Sequence, residues 1–142
     1  MQPNMQKNFT FSETINYPIE SVWNVLTKPS KISVHGAVKT DIISDTEWVE
    51  HTTDSIENHC NATLNEAEKR VEIKSENSRH KGEWDDIIIS AKDAGNGTTE
   101  ITVDITVATA AIFNMLAFKY FGDKISKYSS NNIFSHIENL LK

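Results

Sequence analysis

The last quarter of the chain, Thr109 to Lys142, reads as one long helix or two helices nearly in line, and it follows a run of short strand-like segments. Nothing upstream is long enough to compete with it. A long helix that arrives after many strands has to pack on the sheet they form. Its apolar pattern does not keep a single phase. Ile112, Met115 and Leu116 begin a stripe that passes through Lys119, Gly122, Ser126 and Ser130 before Ile133, Ile137 and Leu141 resume it. Ala117, Phe121, Ile125 and Tyr128 form a second stripe on the opposite side. Either the helix kinks near Gly122 or at Ser129-Ser130-Asn131-Asn132, or its small middle residues face the sheet and leave room for a ligand. Under the second account Ser126→Leu blocks ligand uptake with little loss of stability.

The strands precede it in order. Phe9, Phe11, Glu13, Ile15 and Tyr17 alternate with polar residues, a period of two, with Glu13 at a strand edge reaching solvent. Pro18 and Glu20 suit the first turn of a helix carrying Val22, Trp23, Val25 and Leu26. Pro29 to Val34 reads as a second short helix stopped by Gly36. Strands are then predicted at Val38–Ile43, Trp48–Ile56, Cys60–Leu64 and Val71–Ile73, with a turn at Asn58, followed by Glu83–Lys92. Asn96-Gly97 is a strong hairpin signal, and Ile101, Val103, Ile105 and Val107 alternate cleanly after it. Short turns favour antiparallel pairing. The expectation is an α+β fold: a curved antiparallel sheet of about seven strands, two short helices after strand 1, and one long C-terminal helix that the sheet grips. A length of 142 residues fits one domain over 1–142, with 1–8 flexible.

Charge and cysteine usage narrow the function. Asp and Glu number 20 against 14 Lys and Arg, a net charge of −6, which argues against a nucleic-acid partner. The run Val107 to Phe121 is too short to span a bilayer, which needs about 20 apolar residues, and the polar N-terminus lacks a signal-peptide core. A cytoplasmic protein without an integral membrane segment is expected. One cysteine, Cys60, excludes an internal disulfide.

The stretch Ile15-Asn16-Tyr17-Pro18-Ile19-Glu20-Ser21-Val22-Trp23-Asn24-Val25-Leu26-Thr27 resembles the opening of the START-like (SRPBCC) superfamily, the helix-grip fold of polyketide cyclase/dehydrase and lipid-transport proteins. Gly82-Glu83-Trp84 and the Gly97 to Val103 strand match the same layout. The resemblance spans essentially the whole chain in order of elements, and its short signature is mainly structural. It implies a seven-stranded sheet gripping the C-terminal helix, with a cavity for apolar small molecules between them. No subfamily's catalytic set is matched, so no catalytic residue is carried over.

Candidate residues follow. The histidines, His35, His51, His59, His80 and His136, show no metal-ligand spacing, and no metal or other cofactor is predicted. Cys60 alternates with Ala62 and Leu64, which predicts a small core residue in preference to a nucleophile paired with histidine. One of Asp85 and Asp86 must point inward from its strand, and Asp86 is taken as the candidate acid or base. The expected ligand-binding set is Trp48, His51, Trp84, Asp86, Phe118, Gly122, Ser126 and Ser130. The expected function is binding of an apolar or amphipathic small molecule (a lipid, quinone or polyketide-like ring), and carriage is favoured over catalysis. The alternatives are a small cyclase, dehydratase or hydrolase, and a chaperone- or ribosome-associated interaction module.

Overall fold

The computed structural model describes residues 5–52, 57–77, 82–109, 124, 127 and 130–142. Seven strands form one antiparallel sheet: β1 (Met5–Ile15), β2 (Lys39–Ser44), β3 (Glu47–His51), β4 (Glu57–Asn65), β5 (Arg70–Asn77), β6 (Trp84–Gly95) and β7 (Thr98–Thr109). Their spatial order is β1-β7-β6-β5-β4-β3-β2, so β1 closes one edge against β7 and the rest is a meander. Between β1 and β2 lie the helix α1 (Ile19–Leu26) and a single 3-10 turn at Pro29–Lys31. A second helix, α2, is described over 130–141, and 124 and 127 are also helical. Of the predicted ligand-binding residues, Phe118, Gly122 and Ser126 lie outside the described residues. The question of a kinked or continuous helix falls there too.

Two expectations are corrected. Met5–Asn8, expected to be flexible, pair with Thr106–Thr109 of β7. Their backbone groups find ladder partners, and Asn8 Nδ2 adds a bond to Asp104 Oδ1 at 2.6 Å. A turn is expected at Asn58, and the structure has a strand there. Asn58 sits in β4 opposite Glu50, and β3 ends at His51. Tertiary pairing overrides the turn preference of a single asparagine.

The inner face of the sheet is the core. Alternation places Val71 and Ile73 of β5, Ile87 and Ile89 of β6, and Ile101, Val103 and Ile105 of β7 on it, all buried. Each is worth about 1.5–3 kcal/mol of burial. Val22, Trp23 and Leu26 of α1 close part of this layer. On α2 the buried residues are Ser130, Ile133, Phe134 and Ile137, spaced i, i+3, i+4 and i+7, which is the spacing of one helix face. The β6–β7 hairpin turns at Asn96 and Gly97, both at positive φ (55° and 74°), as an Asn-Gly pair permits.

Candidate functional site

One cross-strand row on the inner face decides where chemistry can occur. Register pairs Ile42 with Trp48, Trp48 with Cys60, Cys60 with Ser75, Ser75 with Asp85, and Asp85 with Val107. The next row, Ala62, Ile73, Ile87, Ile105 and Phe9, is apolar. On the other side of the row, Glu50 lies opposite Asn58. The polar residues therefore gather along one border of the apolar layer.

His35 reaches this border from the loop after the 3-10 turn. Ser33 and Gly36 both take positive φ (56° and 64°), which tightens the loop. The Gly36 N–H donates to Ser33 O at 3.0 Å, and the Ala37 N–H donates to Ser33 Oγ at 3.1 Å. Asn132 of α2 donates through Nδ2 to Ser33 O at 3.3 Å. A Cβ at Gly36 would sit 3.4 Å from that same Nδ2, so the loop lies directly against α2.

The His35 side chain lies between two carboxylates. Nδ1 is 2.9 Å from Glu50 Oε2, and Nε2 is 2.8 Å from Asp85 Oδ2. The His35 backbone N–H donates to Glu50 Oε1 at 3.1 Å, and Trp48 Nε1–H donates to Glu50 Oε2 at 3.0 Å. Cys60 Sγ is 3.5 Å from Glu50 Oε2 and from Ser75 Oγ, and 3.9 Å from His35 Nδ1. The Glu50 side chain is 0% exposed, His35 14% and Asp85 19%. A carboxylate this deep in a strand needs partners for both oxygens, and Glu50 has them. Asp85 Oδ1 is different: like Asp86 Oδ1 and Ser30 Oγ, it is buried and has no hydrogen-bond partner among the described residues.

Electrostatics follow from this packing. Burial by itself would push the His35 imidazole down, but the Asp85 carboxylate, with Cys60 and Glu50, holds it well above the ordinary histidine value. Burial opposes ionisation of Glu50, yet His35 and the Trp48 indole outweigh it and hold the carboxyl below its usual range. Burial pushes the Cys60 thiol up, with His35 and Ser75 offsetting only part. These directions favour an imidazolium donating to Glu50 on one side and to Asp85 on the other, with a neutral thiol beside it.

The predicted residues divide between the two faces. Trp48 is buried on the inner face, with its indole N–H on Glu50. Ser130 is buried on α2, its hydroxyl donating to Lys127 O at 3.0 Å. Asp86 does not face inward. The strand turns Asp85 inward and Asp86 outward, where burial first and then Glu72 push its carboxyl up to about 6. Trp84 and Asp86 do meet, on the outer face, in a groove of about 490 Å³ that His59, Asn61, Lys74 and Glu76 also line. His51 also stands on the outer face, with Nε2 2.7 Å from Asp41 Oδ2. Among the described residues, His35, Glu50 and Cys60 are the group of possible metal ligands, their donor atoms all within 4.8 Å of one another. Glu50 was not singled out from the sequence, because both faces of its strand read as mixed. The available signal was its i, i+2 spacing from Trp48, which puts a carboxylate on the same face as a large apolar residue.

No protein-family model matches the sequence, and no curated protein matches it. Solved structures do. A conserved protein from Geobacillus kaustophilus superposes with a TM-score of 0.77 at 14% identity over 95% of both chains. Norcoclaurine synthase from Thalictrum flavum, solved with dopamine and hydroxybenzaldehyde, gives 0.72 at 14% identity over 97% of this chain and 87% of that one. The Zhui aromatase/cyclase from Streptomyces gives 0.70 at 11% identity over 97% of both. The chain has the START-like fold. At these identities the likeness concerns the fold alone. None of the described helices is long and apolar enough to cross a membrane.

Proposed function

We propose that this START-like protein binds an amphipathic small molecule between the inner face of the sheet and the C-terminal helix, held at its polar end by Asp85. The observation that carries the reading is Asp85 Oδ1, a buried carboxyl oxygen without a partner among the described residues, at the border of an apolar layer. Its other oxygen is fixed by His35 Nε2, so the free lone pairs are pre-aimed. A carboxyl oxygen left to accept selects a hydrogen-bond donor or a cation, such as a phenol hydroxyl or an ammonium group. The apolar rows of β5, β6 and β7 beside it suit a ring or an acyl chain. Two structural neighbours support the ring: one was solved with dopamine and hydroxybenzaldehyde, and one is an aromatase/cyclase.

A second reading, catalysis, is favoured by His35 itself. A histidine hydrogen-bonded to two carboxylates can pass its Nε2 proton to Asp85, making it the carboxylic acid that protonates a bound carbonyl; return of that proton from the product to Asp85 and on to Nε2 restores both groups. Cyclase or dehydratase chemistry needs such a step.

The test is equilibrium binding of an apolar fluorophore and of a panel of phenols and aryl amines to chelator-treated protein, alongside native mass spectra of the purified chain. Asp85→Asn should weaken a phenol or amine by about 10-fold or more, the worth of one charged hydrogen bond, while leaving a purely apolar probe unchanged. Failure of every probe to bind, or equal phenol affinity in Asp85→Leu, would overturn the binding reading. Turnover of a bound substrate that disappears in His35→Gln while binding persists would move the conclusion to catalysis.

A further inference from the structure

We infer that His35 Nδ1, Glu50 Oε2 and Cys60 Sγ form a binding site for a divalent metal ion of borderline softness, zinc being the best fit. This goes beyond the ligand reading and does not depend on it. The three donor atoms are separated by 2.9 Å (N to O), 3.5 Å (S to O) and 3.9 Å (S to N). Tetrahedral zinc with its usual bond lengths spaces such ligands by about 3.3–3.6 Å. An ion therefore enters this triangle with shifts of a few tenths of an ångström. The donor set, thiolate, imidazole and carboxylate, discriminates against magnesium and calcium, which prefer oxygen alone.

The surroundings fit a metal better than the three ligands alone would suggest. A metal-bound histidine ordinarily donates its other ring N–H to a carboxylate, and His35 Nε2 is 2.8 Å from Asp85 Oδ2. The Glu50 ligand oxygen is oriented by Trp48 Nε1–H at 3.0 Å, and its other oxygen by the His35 backbone N–H. Cys60 is the chain's one cysteine, placed by register between Trp48 and Ser75 and fully buried. Binding replaces the proton between His35 and Glu50 and the thiol proton of Cys60, both released to solvent. The charge of thiolate and carboxylate then balances the ion. Three protein ligands leave a fourth position for water or a bound molecule, the arrangement of zinc sites that do chemistry.

Cobalt(II) is the probe. Chelator-stripped, reduced protein is titrated with cobalt and then with zinc against a chromophoric chelator. The expected result is one equivalent of cobalt, with a near-ultraviolet thiolate-to-cobalt charge-transfer band and the visible intensity of a tetrahedral ion, both displaced by zinc. Cys60→Ala removes the charge-transfer band; the small residue suits the core, and circular dichroism confirms the fold. Asp85→Asn keeps the band but weakens zinc about 10–100-fold, as expected of a residue that positions a ligand. Absence of the band in the folded wild-type protein, or its persistence in Cys60→Ala, would overturn the inference. A protein that binds phenols in chelator but shows no cobalt band loses only this site. One that shows the band but binds no organic probe keeps it.

Discussion

Two histidines in this protein make carboxylate contacts of nearly the same length, and their surroundings set them apart. His35, on the inner face, lies 2.8 Å from Asp85 and 2.9 Å from Glu50, with Glu50 fully buried. His51, on the outer face, lies 2.7 Å from Asp41, whose side chain is 53% exposed. Water competes for the second pair and screens it, so its loss costs little. The first pair is largely shielded from water. His35 and Glu50 are held by several converging bonds, and removing Glu50 leaves buried donors without an acceptor. Contact distance alone does not distinguish a site from a surface decoration; burial and the number of converging groups do.

The comparison can be broken or sharpened by substitution. Glu50→Ala should cost about 3–5 kcal/mol in urea unfolding, because it leaves the His35 ring Nδ1–H, the His35 backbone N–H and the Trp48 indole N–H without their acceptor. A loss below about 1 kcal/mol would mean that His35 simply discharges, and the two histidines would then be alike. Gly36→Ala should cost about 1–2 kcal/mol, since a Cβ at φ +64° is strained and meets Asn132. It should also displace His35, read as a shifted imidazole resonance in NMR; an unmoved resonance would detach the loop from the site.

Asp86 tests the outer face from the other direction. Its folded value, about 6, lies above the ordinary 3.8, so the native state favours the protonated form. The stability it contributes is complete below about pH 4 and is lost as pH rises through 6. Asp86→Asn should therefore stabilise the protein by about 1 kcal/mol at pH 7 to 8, a figure reduced for solvent screening, and not at all below pH 4. Thermal melts across that range read it out. The smallest effect is expected from Asp41→Ala, which should leave the unfolding midpoint unchanged at physiological salt; a measurable loss would erase the contrast with His35.

Much of the sheet was legible beforehand because its signals are local. The alternation from Ile101 to Val107, the Asn96-Gly97 hairpin and the Pro18-led helix each rest on neighbouring residues. In α2 the stripe Ser130, Ile133 and Ile137 follows from helical spacing in the same way. The site was far less legible. Trp48, singled out for its aromatic area, does touch the cluster, and the inward carboxylate of β6 was placed one residue too far along, at Asp86. A one-residue error in a strand reverses the face, so a correct element can carry the wrong side chain inward. His35 and Glu50 escaped because neither has a partner nearby in sequence.

Periodicity within each segment already implied an antiparallel sheet with one apolar face, since hydrophobic alternation constrains which side each residue takes. Strand register and the path of the 33–37 loop did the rest. They bring His35 to Glu50 across 15 positions and to Asp85 across 50. Neither hydropathy nor turn preference encodes a separation of that kind, because both are properties of adjacent residues. Only closure of the sheet, with α2 holding the loop through Asn132, sets an imidazole between two carboxylates and leaves one oxygen of Asp85 without a partner among the described residues.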